Sequence, residues 1–381
     1  MRSDVPQACP VAISDPAPAA DAPRNLLERL AVGGLRDPRD LAFVRLALRA
    51  ACILPPFILV LYLGPPWLAA LLALPYLAVL YGAFGGPLLL MLHAVSHRPT
   101  FRRSARWLDR GLRVALPLLY GMSPAAYRAH HLLMHHADEN READVSSTLG
   151  HVRDEPAEFA RYLLRFLVAS HVHLVGHVRA RRRRRETRRL LLEEALLHAS
   201  LIALLVVAPV PTLVAGVAPY LLTRFFLMAG NWAQHAFVDP EHPDDAVRNS
   251  TVLVNASQNH RCFNDGYHAV HHRHPSMHWA QMSRSFQAEW PSYAARGVIV
   301  FDGIANQQVV WARLMRKDYA YLADRMLDTG FVPATRAGRI AFLQARTRAR
   351  IVPRKGLFER RENAVLRAAR TAARAAAPAI R

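Results

Sequence analysis

Nineteen of the 381 residues are histidine, and three groups of them have a spacing suited to binding metal. They are His93-xxx-His97, His131-xxx-His135-His136 and His268-xx-His271-His272. On a helix, positions i, i+3 and i+4 share one face, with Cβ atoms about 5–6 Å apart. Each group can therefore aim two or three imidazoles at one point. A single HxxxH arises by chance in a histidine-rich chain, whereas three such groups in one chain demand a reason. Structural zinc takes four ligands and catalytic zinc three plus water, so eight imidazoles exceed the needs of one ion and suit two ions with open positions. Imidazole accommodates iron, zinc or copper, and spacing leaves the metal open.

Other histidines repeat the pattern without the same context. His173-xxx-His177 falls on an amphipathic segment, and His274-xxx-His278 is interrupted by Pro275. His130 adjoins the second group and is an alternative to His131. His198 lies in an apolar stretch and reads as a packed histidine, while His151, His171, His242 and His260 carry no readable signal. Ligating histidines usually donate their second N–H to a carboxylate or carbonyl; Asp144, Asp239 and Asp265, near the groups, are the candidates.

The elements that position these groups are membrane spans. No Asp, Glu, Lys or Arg occurs between Arg49 and Arg98, nor between Glu194 and Arg224. Charge-free apolar stretches on this scale exceed the roughly 20 residues with which a helix crosses a bilayer. Punctuation by Gly64-Pro65-Pro66 and by Pro209-Val210-Pro211 divides them into four spans, about 41–63, 67–91, 190–207 and 212–231, arranged as two hairpins. Residues 111–121 are too short to cross and read as interfacial or re-entrant. Ser123-Pro124 then gives a helix start for the second histidine group. Residues 157–178 read as an amphipathic helix along the membrane surface.

The formal charge of +20 raises the question of nucleic acid. The arginines, however, sit beside the ends of the apolar stretches, where the positive-inside rule places cytoplasmic loops. Residues 179–189 alone carry eight arginines and one glutamate, as expected of a loop held on anionic headgroups. Nucleic acid is not an expected partner. Residues 93–189 and 232–381 then share the cytoplasmic face with both termini, and Arg224 is expected to snorkel toward the headgroups. The reading is an all-α integral membrane protein: a leader at 1–24 expected to be disordered, a membrane domain at 25–285, and a cytoplasmic helical cap with a basic tail at 286–381. The metal site is expected on the cytoplasmic face, held under this helical cap. Cys9, Cys52 and Cys262 form neither a CxxC pair nor a disulfide framework.

HxxxH, HxxxHH and HxxHH, in this order and with a membrane hairpin before the last, resemble the three histidine boxes of the membrane fatty acid desaturase and hydroxylase family. The stretch Asn264-Asp265-Gly266-Tyr267-His268-Ala269-Val270-His271-His272 is similar to the family's third box with its flank, and the likeness covers about 90–285. It implies a non-haem di-iron centre, two Fe ions that activate O2 and remove hydrogen from an unactivated C–H bond. Asn231-xxx-His235 resembles a pattern in acyl-CoA desaturases of the family, which implies His235 as a ninth ligand and Asn231 as a water-mediated contact. The first box is one residue shorter, and the second one longer, than in some acyl-CoA desaturases, which fits the wider family. The implied activity is O2-dependent desaturation of a fatty acyl chain carried as acyl-lipid or acyl-thioester. The alternative is a lipid or carotenoid hydroxylase or ketolase with the same centre. Without a GxGxxG fingerprint, a CxxC pair or a haem-binding segment, electrons must come from an external ferredoxin, rubredoxin or cytochrome.

Overall fold

The computed structural model describes residues 8–351; the basic tail expected beyond 351 lies outside them. The chain is mostly helical. Four helical runs are long and apolar enough to cross a membrane: Pro38–Leu63, Ala73–His97, Arg184–Val207 and Pro209–Gln234. Their outward faces expose large apolar side chains, among them Leu63, Leu74, Ile202, Val206 and Val207. Water would oppose such a surface and lipid favours it.

The runs differ from the expected boundaries for physical reasons. The second begins at Ala73, after a separate short helix Pro66–Leu71, and continues to His97 through a π-helical turn at Ala78–Gly85. The third starts at Arg184, because arginine is a good helix former and charge alone does not end a helix. The fourth opens at Pro209, since proline is tolerated in a first turn, where its missing N–H would be unpaired anyway.

Between the second and third spans, helix Arg106–Leu119 ends in a turn at Gly121, whose φ is +67°. A Cβ there would stand 2.6 Å from the Tyr220 Cα of the fourth span. The chain thus touches the fourth span backbone to backbone before Ser123 starts the next helix, accepting from Ala126 N at 3.0 Å. The same turn captures Arg224. Its guanidinium donates to Gly121 O at 3.0 Å and lies over the Tyr220 ring at 3.5 Å, so this arginine is buried inside the protein rather than snorkelling outward.

Helix Pro156–Ala180 buries Phe159, Tyr162, Phe166, Leu174 and Val178 on one stripe, and exposes Leu164, Val168 and Val172 on the other. One departure from an all-helical chain is a pair of three-residue strands in parallel, β1 (Val252–Val254) and β2 (Val300–Asp302), with Val252 opposite Val300. They join the segment bearing the third box to the polar C-terminal part. Residues 8–24 form no helix, yet they are pinned. Asp15 is buried and accepts from Asn255 N and Tyr267 Oη at 2.7 Å each, and Pro16 O accepts from Asn264 Nδ2 at 2.7 Å. Asp40, fully buried at the start of the first span, meets Arg98 and His278 at 3.1 Å and accepts from Trp279 Nε1 at 3.2 Å. It ties the first span to the chain just after the first and third boxes.

Candidate metal centre

The structure brings all nine histidines singled out from the sequence into two adjoining groups. Donor atoms of His93, His97, His131, His136 and His271 lie within 4.8 Å of one another, and so do those of His135, His235, His268 and His272. The expectation that each box would aim at a single point is corrected in detail. Adjacent residues on a helix differ by about 100°, so His135 and His136 face different groups, and so do His271 and His272.

Within a box, the first and last histidines share a group. In helix His268–Arg273 these are His268 and His272, four apart, on one helical face. The second box has one residue more between its ends, His131 and His136. It absorbs that residue in a π-helical turn, Ala129–His135, whose hydrogen bonds run i→i+5 rather than i→i+4, so that residues five apart come round to one face. His93 and His97 close the second span, and His235 sits just past the last turn of the fourth.

The ring nitrogens converge edge to edge. Nε2–Nε2 separations are 2.9 Å for His93–His271, 2.8 Å for His97–His131 and 2.9 Å for His136–His271. In the other group they are 3.1 Å for His235–His268 and 3.0 Å for His268–His272. Two imidazole nitrogens bound at right angles to one ion, at metal–nitrogen distances of about 2.0–2.1 Å, stand about 3.0 Å apart. The donor set therefore fits two ions, one with five imidazoles and one with four.

Protonation agrees with that fit. Burial first, then the neighbouring imidazoles, hold His131, His268, His271 and His272 well below the usual histidine range. The same causes bring His136 to about 2, and burial brings His235 to about 3. These rings are neutral at pH 7, the form in which imidazole binds metal.

The comparisons with known proteins agree with this geometry. Residues 31–303 match the family model described as fatty acid desaturase. The chain belongs to the fatty acid desaturase family. A comparison with curated proteins finds no match. The family is one of membrane oxidoreductases that use two irons, and its match reaches both the first span and β2, beyond the 90–285 over which the boxes alone carried the likeness.

In this desaturase-family chain the outer partners of the rings are only partly carboxylates. Asp144 Oδ2 accepts from His135 Nδ1 at 2.8 Å. Burial alone would raise Asp144, but the His135 and His130 imidazoles and the Ser146 hydroxyl more than offset it and keep the carboxyl ionised. Asp265 Oδ1 stands 3.9 Å from His93 Nδ1, too far for a direct hydrogen bond. Asp239 takes no part: it pairs with Arg248 at 2.6 Å and Arg346 at 3.1 Å. His235 Nδ1 faces Asn249 O at 3.3 Å. Asn231 Nδ2 donates to Ser146 O and Tyr162 Oη at 2.8 Å each, tying the fourth span to the loop that carries Asp144.

The remaining histidines stand apart from both groups. His130 meets Ser146 Oγ at 3.1 Å, and His177 meets Leu133 O at 2.9 Å. His173 is exposed; His278 is buried against Asp40 and accepts from Ala280 N. His171, which carried no sequence signal, contacts Glu194 across helices, and His198 bonds to Glu194 O at 2.7 Å. Only the packing of helix Pro156–Ala180 on the third span reveals that pairing.

Arg153 is missing from any motif reading, yet it is fully buried beside the site. Its guanidinium donates to Ala236 O at 2.8 Å, Thr148 O at 3.0 Å and Ala349 O at 2.6 Å. It thereby clamps the loop after the second box to the residue following His235. A cavity of about 510 Å³ runs past His93, His131, His135 and His268. Leu89, Leu90, Phe166, Leu174, Leu227 and Met228 supply apolar wall. Its size is that of a small-molecule site.

Proposed function

We propose that the chain is an O2-dependent fatty acyl desaturase whose nine histidines hold two iron ions. Bound there, the iron pair supplies O2 activation and removal of hydrogen from an unactivated C–H bond. The protein's own task is placement. The apolar cavity wall excludes water and lays a methylene of the acyl chain beside the rings of His93, His131, His135 and His268. Asp144 fixes the His135 tautomer by accepting a hydrogen bond from its Nδ1–H.

The four spans form two hairpins, and the boxes, the C-terminal cap and both termini lie on the cytoplasmic side. The arginine run before the third span supports that orientation. Electrons arrive from an external ferredoxin, rubredoxin or cytochrome. The observation that carries the reading is the division of the nine imidazoles into groups of five and four beside an apolar cavity.

The test is lipid analysis of a host expressing the wild-type chain or His268→Ala. The expected result is a new double bond in an acyl chain with the wild type alone. An added hydroxyl or keto oxygen would instead assign a hydroxylase or ketolase, and identical lipids in both hosts would count against an acyl substrate.

A further inference from the structure

Part of the cavity lining is polar but uncharged. Asn231, Gln234, Gln258, Asn306, Gln307 and Gln308 contribute to it, from the end of the fourth span, the helix Ser257–Arg261 and the start of helix Gln307–Met315. Most are engaged with protein. Asn306 caps its helix by accepting from Val309 N at 3.0 Å, and Gln258 Nε2 donates to Asp265 Oδ2 at 3.2 Å. Gln307 is different. It is only 2% exposed, and neither Nε2 nor Oε1 meets a hydrogen-bond partner among the described residues.

Leaving a buried donor and a buried acceptor both unmade is costly, of the order of 1–3 kcal/mol for each group. The groups a ligand must bring follow from this. An ester carbonyl or a carboxylate only accepts, so it satisfies Nε2 and leaves Oε1 orphaned. A secondary amide or a hydroxyl both donates and accepts, and it satisfies the pair. Phosphate-rich carriers fit poorly as well, because both arginines that line the cavity are already engaged: Arg224 donates to Gly121 O at 3.0 Å and Arg261 to Gly82 O at 3.1 Å.

We infer that Gln307 is a specificity-determining residue, selecting acyl substrates whose polar end both donates and accepts hydrogen bonds: an amide-linked or hydroxyl-bearing acyl lipid rather than an ester or a coenzyme A thioester. The inference rests on the acyl-chain reading of the cavity given above.

The test is equilibrium binding to the detergent-purified full chain, with its iron content recorded. Three probes of equal chain length are compared: N-methylpalmitamide, hexadecanol and methyl palmitate. The amide, the alcohol or both should bind about tenfold tighter than the ester, the worth of one extra net hydrogen bond; which of them does identifies the polar group. Gln307→Leu should erase that preference, whereas Gln307→Glu, which loses the donor but keeps the acceptor, should retain it, because the amide and the alcohol still donate to the carboxylate while the ester meets no partner. Equal binding of all three probes, or a preference that survives Gln307→Leu, would overturn the inference. A protein that prefers the amide yet holds no iron would refute the di-iron reading alone. One that holds iron and forms double bonds without any preference would refute only the role of Gln307.

Discussion

At the scale of single residues, the site depends on which imidazole nitrogen faces inward. The cross-ring contacts run through Nε2, so the Nδ1 partner sets each ring's tautomer and aim. Asp144 is the carboxylate that does this by direct contact, at His135. Asp144→Asn keeps the size and removes the charge. It is expected to weaken metal retention by about 10–100-fold, the usual range for such outer partners, with the fold intact. Iron content during dialysis against a graded chelator checks this; retention equal to wild type would show that Asp144 serves only its loop. The convergence of the nine histidines was legible from spacing and likeness because imidazoles three or four residues apart share one helical face. Their allotment to two groups was not, since it depends on the π turn that lets His131 and His136 share a face across five residues.

At the scale of elements, the second box is locked to the fourth span on both sides. The Gly121 turn is the tightest of these locks: φ is +67°, and the Tyr220 backbone occupies the place a side chain would take. Gly121→Ala meets both the left-handed strain and a backbone clash, together about 1–3 kcal/mol or more. A lower melting temperature and loss of iron are expected together, because the turn leads directly into the helix bearing His131. Unchanged stability by thermal denaturation in detergent would show that the turn relaxes freely. Hydropathy located this segment as too short to cross but could not show its contact with Tyr220, which depends on two elements about 100 residues apart. The β1–β2 pair escaped notice for a related reason. Three-residue strands carry too little alternation to read, and their pairing joins residues 252–254 to 300–302.

At the scale of the whole molecule, four apolar runs are long enough to cross a bilayer, and the placement of the arginines carries the proposed orientation. The spans were legible because lipid permits no charge-rich middle, and their ends were not, because the helices continue past the charge-free stretches into arginine-rich or histidine-bearing turns. Residues 8–24 illustrate the opposite limit. Their Ala, Pro and Asp composition reads as a free leader, yet Asp15 and Pro16 bond to Tyr267, Asn255 and Asn264, partners about 240 residues away that no local pattern discloses. The topology predicts that Gly64→Cys and Val210→Cys react with an impermeant thiol reagent from outside intact cells, while Arg182→Cys reacts only after lysis. Each is placed in a chain with Cys9, Cys52 and Cys262 replaced by serine. Labelling of all three from the same side would defeat the hairpin arrangement.

The central claim, that five and four imidazoles hold two irons, is tested most directly by elemental analysis of the gently purified chain. The account predicts about two irons per chain, lost in His271→Ala, which removes a donor at the junction of His93 and His136, and kept in His173→Ala, whose ring is exposed and outside both groups. One zinc and no iron per chain, or equal metal loss in the two variants, would contradict it.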